Sequence, residues 1–168
     1  MTKDFAHIFQ TAQDLNIPII IHAGEAAGPE SIQQALMLGA KRIGHGIRAA
    51  EDTACVSQLC VTQIPLELCF TSNCQTKAVN DPNSYPLQYF LEQGIRLTVN
   101  TDNMTVSGTT LRREYLRLHR ELGIPTDTLQ TIACNAADAA FVTPQEADRL
   151  KSRICKDFSR WLENGTIA

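Results

Sequence analysis

Short apolar runs alternate with amphipathic segments along most of the chain. The apolar runs have the length and composition of buried strands, and they predict strands at 17–22, 42–45, 64–69 and 95–100. Apolar residues recur at helical spacing before the first run, at Phe5, Ile8, Phe9, Ala12 and Leu15. This spacing predicts a helix at 4–15. Similar spacing, or boundaries marked by glycine or proline, predicts further helices at 29–39, 51–61, 86–93 and 109–122.

The alternation stops after residue 122. An alanine-rich segment predicts a helix at 126–141, and the capping-box sequence Thr143-Pro144-Gln145-Glu146 predicts a last helix at about 144–162. Strands separated by helices imply a parallel sheet with right-handed crossovers. The predicted fold class is therefore α/β, as an open sheet or as half of a (β/α)₈ barrel, with two C-terminal helices. Residues 1–168 are expected to form a single domain.

Composition and charge give no indication of a nucleic-acid or membrane partner, and they predict where the protein is located. The chain has 168 residues, 43% of them hydrophobic, with a formal charge of −3, which gives no electrostatic reason to expect nucleic acid or an anionic membrane as a partner. No apolar run is long enough to cross a bilayer, and the first residues lack the apolar core of a signal peptide, so we expect a cytoplasmic protein.

The six cysteines form no CxxC pair, which argues against a compact thiolate zinc site and for reduced thiols.

Chemically useful side chains follow three of the predicted strands. His22 ends the first strand and is followed by Ala23, Gly24 and Glu25, and His45 ends the second strand between two glycines. Asp102 and Asn103 follow the fourth strand. Because carboxyl ends of parallel strands meet at one edge, where α/β folds bind ligands, we expect these groups to form one site.

Each of these residues also has a structural alternative. His22 can be a buried histidine bonded to a carbonyl. Glu25 can lie at the start of a helix and interact favourably with the helix dipole, and Asp102 can cap a helix or turn. The small residues at 23 and 24 favour a functional site, because a substrate can approach the backbone closely there, and Gly24 is a predicted substrate contact. The glycines beside His45 likewise suit a ligand pocket better than a core.

Other candidates carry less weight. The polar segment 68–73 after the third strand is interpreted as mostly structural, and Cys69 within it has no feature that marks an activated nucleophile. His7 and His119 lie on predicted helices and are expected to be solvated.

Four segments together resemble one enzyme family. They are His22-Ala-Gly-Glu-Ala-Ala-Gly-Pro-Glu-Ser-Ile32, Arg42-Ile-Gly-His-Gly46, Leu66-Glu-Leu-Cys-Phe-Thr-Ser-Asn73 and Asn100-Thr-Asp102. In this order and spacing they strongly resemble bacterial adenosine deaminase. The resemblance begins just before the fifth strand of that family's (β/α)₈ barrel. It therefore implies the C-terminal half of the barrel.

The resemblance implies roles for single residues. His22 and Asp102 match a histidine and a carboxylate ligand of Zn²⁺, and Glu25 matches the acid that protonates purine N1. His45 matches the residue that orients and deprotonates the attacking water. Asn103 stands where many members have an aspartate that faces purine N7; N7 only accepts hydrogen bonds, and an amide can always donate. The implied reaction is hydrolysis of adenosine to inosine and ammonia, a step of purine salvage.

The resemblance is also incomplete. The family's first strand carries a His-x-His pair that supplies two zinc ligands, and this sequence contains no His-x-His. Two hypotheses stand: the chain is part of a working zinc deaminase, or it is a non-catalytic half-barrel that only binds or assembles. Adenine deaminase is a further alternative, although Ala26-Ala27-Gly28-Pro29 looks more like the adenosine enzymes. The chain alone is expected to be inactive.

The half-barrel also predicts association. We expect an exposed apolar inner face formed by Ile19, Ile21, Leu66, Leu68, Leu97 and Val99, together with two open sheet edges. The expected partner is either the missing N-terminal half or a second copy of the chain.

Overall fold

A computed structural model describes residues 5–163. The helices are α1 (Ala6–Asp14), α2 (Pro29–Met37), α3 (Thr53–Thr62), α4 (Phe70–Gln75), α5 (Leu87–Glu92), α6 (Met104–Ser107), α7 (Leu111–Leu122), α8 (Thr126–Ala139) and α9 (Pro144–Glu163). The strands are β1 (Ile19–Ala23), β2 (Ala40–His45), β3 (Leu66–Leu68) and β4 (Leu97–Val99). Every predicted helix and strand has a counterpart, with ends that differ by a few residues; residue 4, the predicted start of the first helix, lies outside the described residues.

The sheet confirms the predicted topology. Its four strands lie in the order β1-β2-β3-β4, and each neighbouring pair is parallel. Register aligns His22 with Gly44, Gly44 with Glu67, and Glu67 with Thr98, so these positions form one row across the sheet. The carboxyl ends of all four strands therefore open at the same edge.

Helix ends follow the local chemistry of the sequence. Asp52 caps α3 by accepting a hydrogen bond from the Ala54 amide at 2.9 Å. The predicted capping box at α9 is confirmed: the Thr143 amide donates to Glu146 at 3.0 Å, and the Glu146 amide donates to the Thr143 hydroxyl at 3.3 Å.

The predicted apolar inner face was wrong. All six residues assigned to it are 8% exposed or less and belong to the core that packs against the helices. Side chains alternate along a strand, so the opposite face carries the residues between them, including Ile20, His22, Glu67 and Thr98. Arg42 lies on this inner face too, with Nε 3.3 Å from Glu67 Oε1 and the guanidinium 4.2 Å from the Phe141 ring centre. The concave face is thus mainly polar.

Two short helices at the carboxyl edge were not predicted. α4 begins within the polar segment 68–73, for which the sequence predicted no helix, and α6 follows Asn103. α4 is held by Glu114 of α7, which is 1% exposed and accepts hydrogen bonds from the Thr71 amide at 3.0 Å and the Thr109 hydroxyl at 2.6 Å. A carboxylate at a helix N-terminus also interacts favourably with the helix dipole.

None of the helices in the described part of the chain is both long and apolar enough to span a membrane.

Candidate functional site

β1 presents His22 on the concave face at the carboxyl edge of the sheet. Its ring lies over Gly44 of β2, where a Cβ atom would come within 2.5 Å of His22 Cδ2. The absence of a side chain at 44 therefore makes room for the imidazole. The His22 ring also meets the His45 ring edge to face, with the centroids 5.0 Å apart.

The turn after β1 is built around Gly24. Gly24 has φ +67°, and a Cβ atom there would lie 2.4 Å from Ile32 Cδ1 of α2. Its amide donates to the Ser31 hydroxyl at 2.8 Å, and its carbonyl accepts from the Arg48 amide at 3.0 Å. The structure thus gives this glycine a folding role, in placing Glu25, while its predicted contact with substrate stays a prediction.

His45 is buried at the end of β2. It is 1% exposed, has φ 64°, and places Nε2 3.4 Å from Glu25 Oε2. The pKa of His45 is lowered, mainly because burial disfavours the charged ring. The charge of His22 also lowers this pKa, whereas the negative charges of Glu25 and Asp102 raise it. Glu25, His22 and Asp102 each act electrostatically on His45, so the structure brings the four predicted residues together around it.

Asn73 of α4 joins the two proposed catalytic residues. Its Nδ2 lies 3.1 Å from Glu25 Oε1 and 3.0 Å from His45 Nδ1, and its Oδ1 accepts a hydrogen bond from the Tyr85 hydroxyl at 3.1 Å. With this amide orientation, Nδ1 of His45 is an acceptor and the neutral ring carries its proton on Nε2, facing Glu25.

Asn73 was missed as a functional residue by reasoning from the sequence, which interpreted its segment as mostly structural. A signal was present, because polar residues follow this strand as they follow the others. What the sequence did not reveal was a short helix that turns Asn73 inward and leaves it 0% exposed.

Replacement of Asn73 by alanine is expected to lower the free energy of unfolding by about 2 kcal/mol, because the buried Tyr85 hydroxyl and Nδ1 of His45 lose the hydrogen bonds that they make to Asn73. Urea unfolding of this variant beside Asn83→Ala measures the effect; Asn83 is exposed, and its hydrogen bonds to Asp81 are local. Equal stability of the two variants would contradict the bridging role of Asn73.

Asp102 lies just beyond β4, with φ 54°, and its Oδ2 accepts a hydrogen bond from the Ser72 hydroxyl of α4 at 2.7 Å. Asn103 caps α6, where its Oδ1 accepts from the Val106 amide at 3.0 Å. The cap uses the amide oxygen, so the Nδ2 end is the one that can donate to a ligand. This orientation is compatible with the predicted contact to a purine N7 acceptor.

A cleft of about 540 Å³ opens beside these residues. Glu25, Arg48, Glu51 and Thr76 are among its lining residues, and Glu25 is one-quarter exposed there. The Thr76 hydroxyl also donates to Glu25 Oε1, at 3.4 Å. The cleft gives a small polar molecule access to Glu25.

The remaining candidates gain nothing from the structure. Burial, reinforced by the charges of Asp102, Glu114 and Glu67, raises the pKa of the Cys69 thiol to about 12, so Cys69 is not an activated nucleophile. The prediction that His119 is solvated was wrong: it is half-buried, because its ring lies against the turn after α7, with Nδ1 2.8 Å from the Ile124 carbonyl. His7 is exposed on α1, as expected.

The adenosine deaminase family model matches residues 1–157. The chain belongs to the adenosine deaminase family. A curated relative, the adenosine deaminase of Haemophilus ducreyi, is 44% identical over 153 residues, which cover 91% of this chain and 44% of that protein. The chain thus spans less than half the length of this family member.

Two solved structures support the half-barrel. An adenine deaminase from Arthrobacter aurescens superposes with a TM-score of 0.89 at 29% identity, over 96% of this chain and 49% of that chain. A zinc-bound amidohydrolase from Burkholderia ambifaria superposes with a TM-score of 0.86 at 16% identity, over 95% of this chain and 45% of that one. The second likeness supports the fold alone. The predicted half of a (β/α)₈ barrel is confirmed.

The donors present suit zinc in kind but are too few. His22 and Asp102 offer an imidazole and a carboxylate, whereas a catalytic zinc site uses about three protein ligands and an open position. Among residues 5–163, no group of three or more His, Cys, Asp or Glu side chains is arranged to hold a metal ion. Any metal centre at this edge therefore needs further donors.

Proposed function

We propose that this chain supplies the C-terminal half of the active site of a zinc-dependent deaminase that hydrolyses adenosine to inosine and ammonia. The observation that carries the proposal is the convergence of Glu25 and His45, bridged by Asn73, beside a histidine and an aspartate at the carboxyl edge of a parallel sheet. Family membership supports adenosine as the substrate on which this acid and base act.

In the proposed reaction a water molecule attacks C6 of the purine. His45 takes a proton from this water, and Glu25 donates a proton to N1, which prevents negative charge from accumulating on the ring. Asn103 orients the base by donating from Nδ2 to N7. His45 then returns its proton to the exocyclic amino group, the C6–N bond breaks as ammonia leaves, and the proton of the new C6 hydroxyl passes to Glu25 as the carbonyl of inosine forms.

The bridge by Asn73 accommodates both protonation states of Glu25. When Glu25 is ionised, the amide nitrogen donates to it, as in the structure. When Glu25 carries a proton, the reverse orientation of the amide lets Oδ1 accept from Glu25 and from Nδ1–H of His45. Nε2 of His45 is then open as a base at the moment when Glu25 is an acid.

Zinc is the proposed cofactor, with His22 and Asp102 as two of its ligands. When bound, the metal supplies Lewis-acid chemistry that lowers the pKa of a water molecule toward neutrality. The hydrogen bond from Ser72 orients Asp102, and the space above Gly44 positions His22.

The proposed partner is a polypeptide that provides the N-terminal half of the barrel and the remaining zinc ligands. The H. ducreyi relative has more than half of its length beyond the region matched here. The single domain of residues 1–168 is accordingly proposed to be a partial deaminase domain.

Reconstitution tests this proposal. With zinc present, the chain alone is expected to give no detectable inosine, while an equimolar mixture with the N-terminal half of the H. ducreyi adenosine deaminase is expected to turn adenosine over. Each half alone and a mixture treated with a zinc chelator serve as controls. A zinc-loaded complex of the two halves that produces no inosine would contradict catalysis and favour a half-barrel that only binds or assembles.

Adenine is a second candidate substrate, because the Arthrobacter structure at 29% identity is an adenine deaminase. Comparison of adenosine with adenine in the same mixture distinguishes them. A higher kcat/KM for adenine would replace adenosine as the proposed substrate.

A further inference from the structure

We propose that Cys134 and Cys155 form a site of reversible covalent modification, at which a hydroperoxide converts the two thiols into a disulfide bond between α8 and α9. In the structure the two sulfur atoms lie 3.7 Å apart, in a thiol–thiol hydrogen bond. The inference does not rest on the proposed deaminase activity. It concerns two helices that are neighbours within the described chain.

The packing of the two helices sets the register that brings the cysteines together. α8 and α9 are joined by residues 140–143, so they pack as an antiparallel hairpin. Lys151 of α9 pairs with Asp138 of α8 at 2.5 Å. Cys134 and Cys155 each lie four residues, about one helical turn, further from the connecting loop. The ion pair and the sulfur contact therefore belong to one register.

Contacts of the neighbouring residues hold this register in place. Ala133 and Ile154, which precede the two cysteines, both line the same apolar groove. Asn135, which follows Cys134, donates to the Leu97 carbonyl of β4 at 3.1 Å and so ties α8 to the sheet. A disulfide bond is about 2.05 Å long, so the sulfur atoms must approach by less than about 2 Å, a distance that side-chain rotation can supply.

The two cysteines differ in how readily they react. Cys155 is exposed, whereas Cys134 is half-buried. Burial raises the pKa of the Cys134 thiol, and its hydrogen bond with Cys155 raises this pKa further, against the opposing positive charge of Lys151. Because a protonated thiol is a poor nucleophile, the exposed Cys155 is the sulfur that reacts first with a hydroperoxide, and Cys134 reacts second.

Both steps of the reaction balance with a hydroperoxide as the oxidant. The Cys155 sulfur attacks one peroxide oxygen, the O–O bond breaks, and the other oxygen leaves as water or an alcohol with the Cys155 proton. The Cys134 sulfur then attacks the resulting sulfenic acid, the S–O bond breaks, and the hydroxyl leaves as water with the Cys134 proton. Each sulfur gives up one electron, and the hydroperoxide takes up both. A dithiol reverses the change by thiol–disulfide exchange and becomes a disulfide itself.

The disulfide bond is expected to hold the α8–α9 hairpin together. It closes a loop from residue 134 to residue 155, and a closed loop restricts the conformations of the unfolded chain. Asn135 contacts Leu97, the first residue of β4, whereas Asp102 follows the other end of this strand. Oxidation should therefore stabilise the helix pair and leave the proposed catalytic groups in place.

Alkylation after peroxide treatment tests the modification. The reduced chain is incubated with a molar excess of hydrogen peroxide, alkylated in denaturant and weighed by mass spectrometry. Alkylation is expected at two fewer sites than the six cysteines of the chain, and a non-reducing digest should join the peptides that contain Cys134 and Cys155. The midpoint of thermal unfolding is expected to rise by at least about 5 °C on oxidation.

Single variants test the order of the two steps. In Cys134→Ser, Cys155 is expected to stop at the sulfenic acid, which dimedone traps, whereas Cys155→Ser should give no dimedone adduct at Cys134. Alanine at the same positions should give the same result if a serine variant loses its native circular dichroism. Cys60→Ser, at a half-buried position on α3, is the matched control and should oxidise like the wild type.

Six alkylated cysteines in the treated wild type, a disulfide that links another pair, or a bond between two copies of the chain would overturn the modification site. A dimedone adduct at Cys134 in the Cys155→Ser variant would overturn the assigned order. An unchanged unfolding midpoint in the cross-linked chain would show that the bond does not hold the hairpin together. None of these outcomes depends on whether the reconstituted enzyme deaminates adenosine.

Discussion

Replacement of Glu25 by glutamine is expected to lower the rate of adenosine deamination in the reconstituted enzyme by about 10²–10⁴-fold. Glutamine has nearly the same shape, and its amide oxygen can still accept hydrogen bonds from Asn73 and Thr76. It has no acidic proton to give to purine N1. The loss should therefore appear in kcat, with little change in stability or in assembly of the two halves.

The control for this variant is Glu30→Gln. Glu30 lies in the first turn of α2, five residues further along, and is exposed; it accepts a hydrogen bond from the Gly28 amide at 3.1 Å, which a glutamine oxygen can also do. Steady-state kinetics should give wild-type turnover for Glu30→Gln. If Glu25→Gln retained comparable turnover in a zinc-loaded complex, Glu25 would not be the acid.

Loss of the Glu114 carboxylate is expected to have the largest effect on stability, with Glu114→Ala lowering the free energy of unfolding by about 3 kcal/mol. The carboxylate is 1% exposed and accepts two hydrogen bonds, from the Thr71 amide and the Thr109 hydroxyl. Its removal leaves a buried backbone N–H unsatisfied at the start of α4. Because α4 carries Ser72 and Asn73, the site should loosen together with the fold.

Urea unfolding measures this effect, and Glu92→Ala provides the comparison. Glu92 is exposed at the end of α5 and accepts a local hydrogen bond from Gln88 at 3.1 Å, so its loss should change stability by no more than about 0.5 kcal/mol. Glu114→Gln keeps the volume and one acceptor oxygen, and it should fall between the two. Equal stability of Glu114→Ala and Glu92→Ala would show that Glu114 does not anchor α4.

The fold and the main site residues were accessible from the sequence because both depend on local patterns. Apolar runs separated by amphipathic segments specify strands and helices in alternation, and this alternation leaves few options besides a parallel sheet in sequential order. In such a sheet every carboxyl end is at the same edge. His22, His45 and Asp102 therefore meet there for a topological reason, and the sequence alone was sufficient to predict it.

Only the tertiary structure decided which way each strand faces. Parallel strands are buried on both sides, so their sequences are nearly continuous apolar runs from which the inner side cannot be identified. Ile21 packs against the helices while its neighbour His22 faces the concave side, the reverse of the predicted orientation of Ile21. The expected exposed apolar face was wrong for this reason, and exposed apolar side chains lie instead at places that include Ile8 of α1 and Leu111 of α7.

The tertiary structure also decided how the site is supported. Asn73 is 48 residues from Glu25 and 28 from His45 along the chain, and Glu114 is 43 from Thr71. No local pattern encodes such contacts, because they arise only when α4 and α7 have packed at the carboxyl edge of the sheet. The sequence by itself thus determined the order of the elements and the chemistry at the strand ends. Packing of distant segments determined which side chains orient that chemistry.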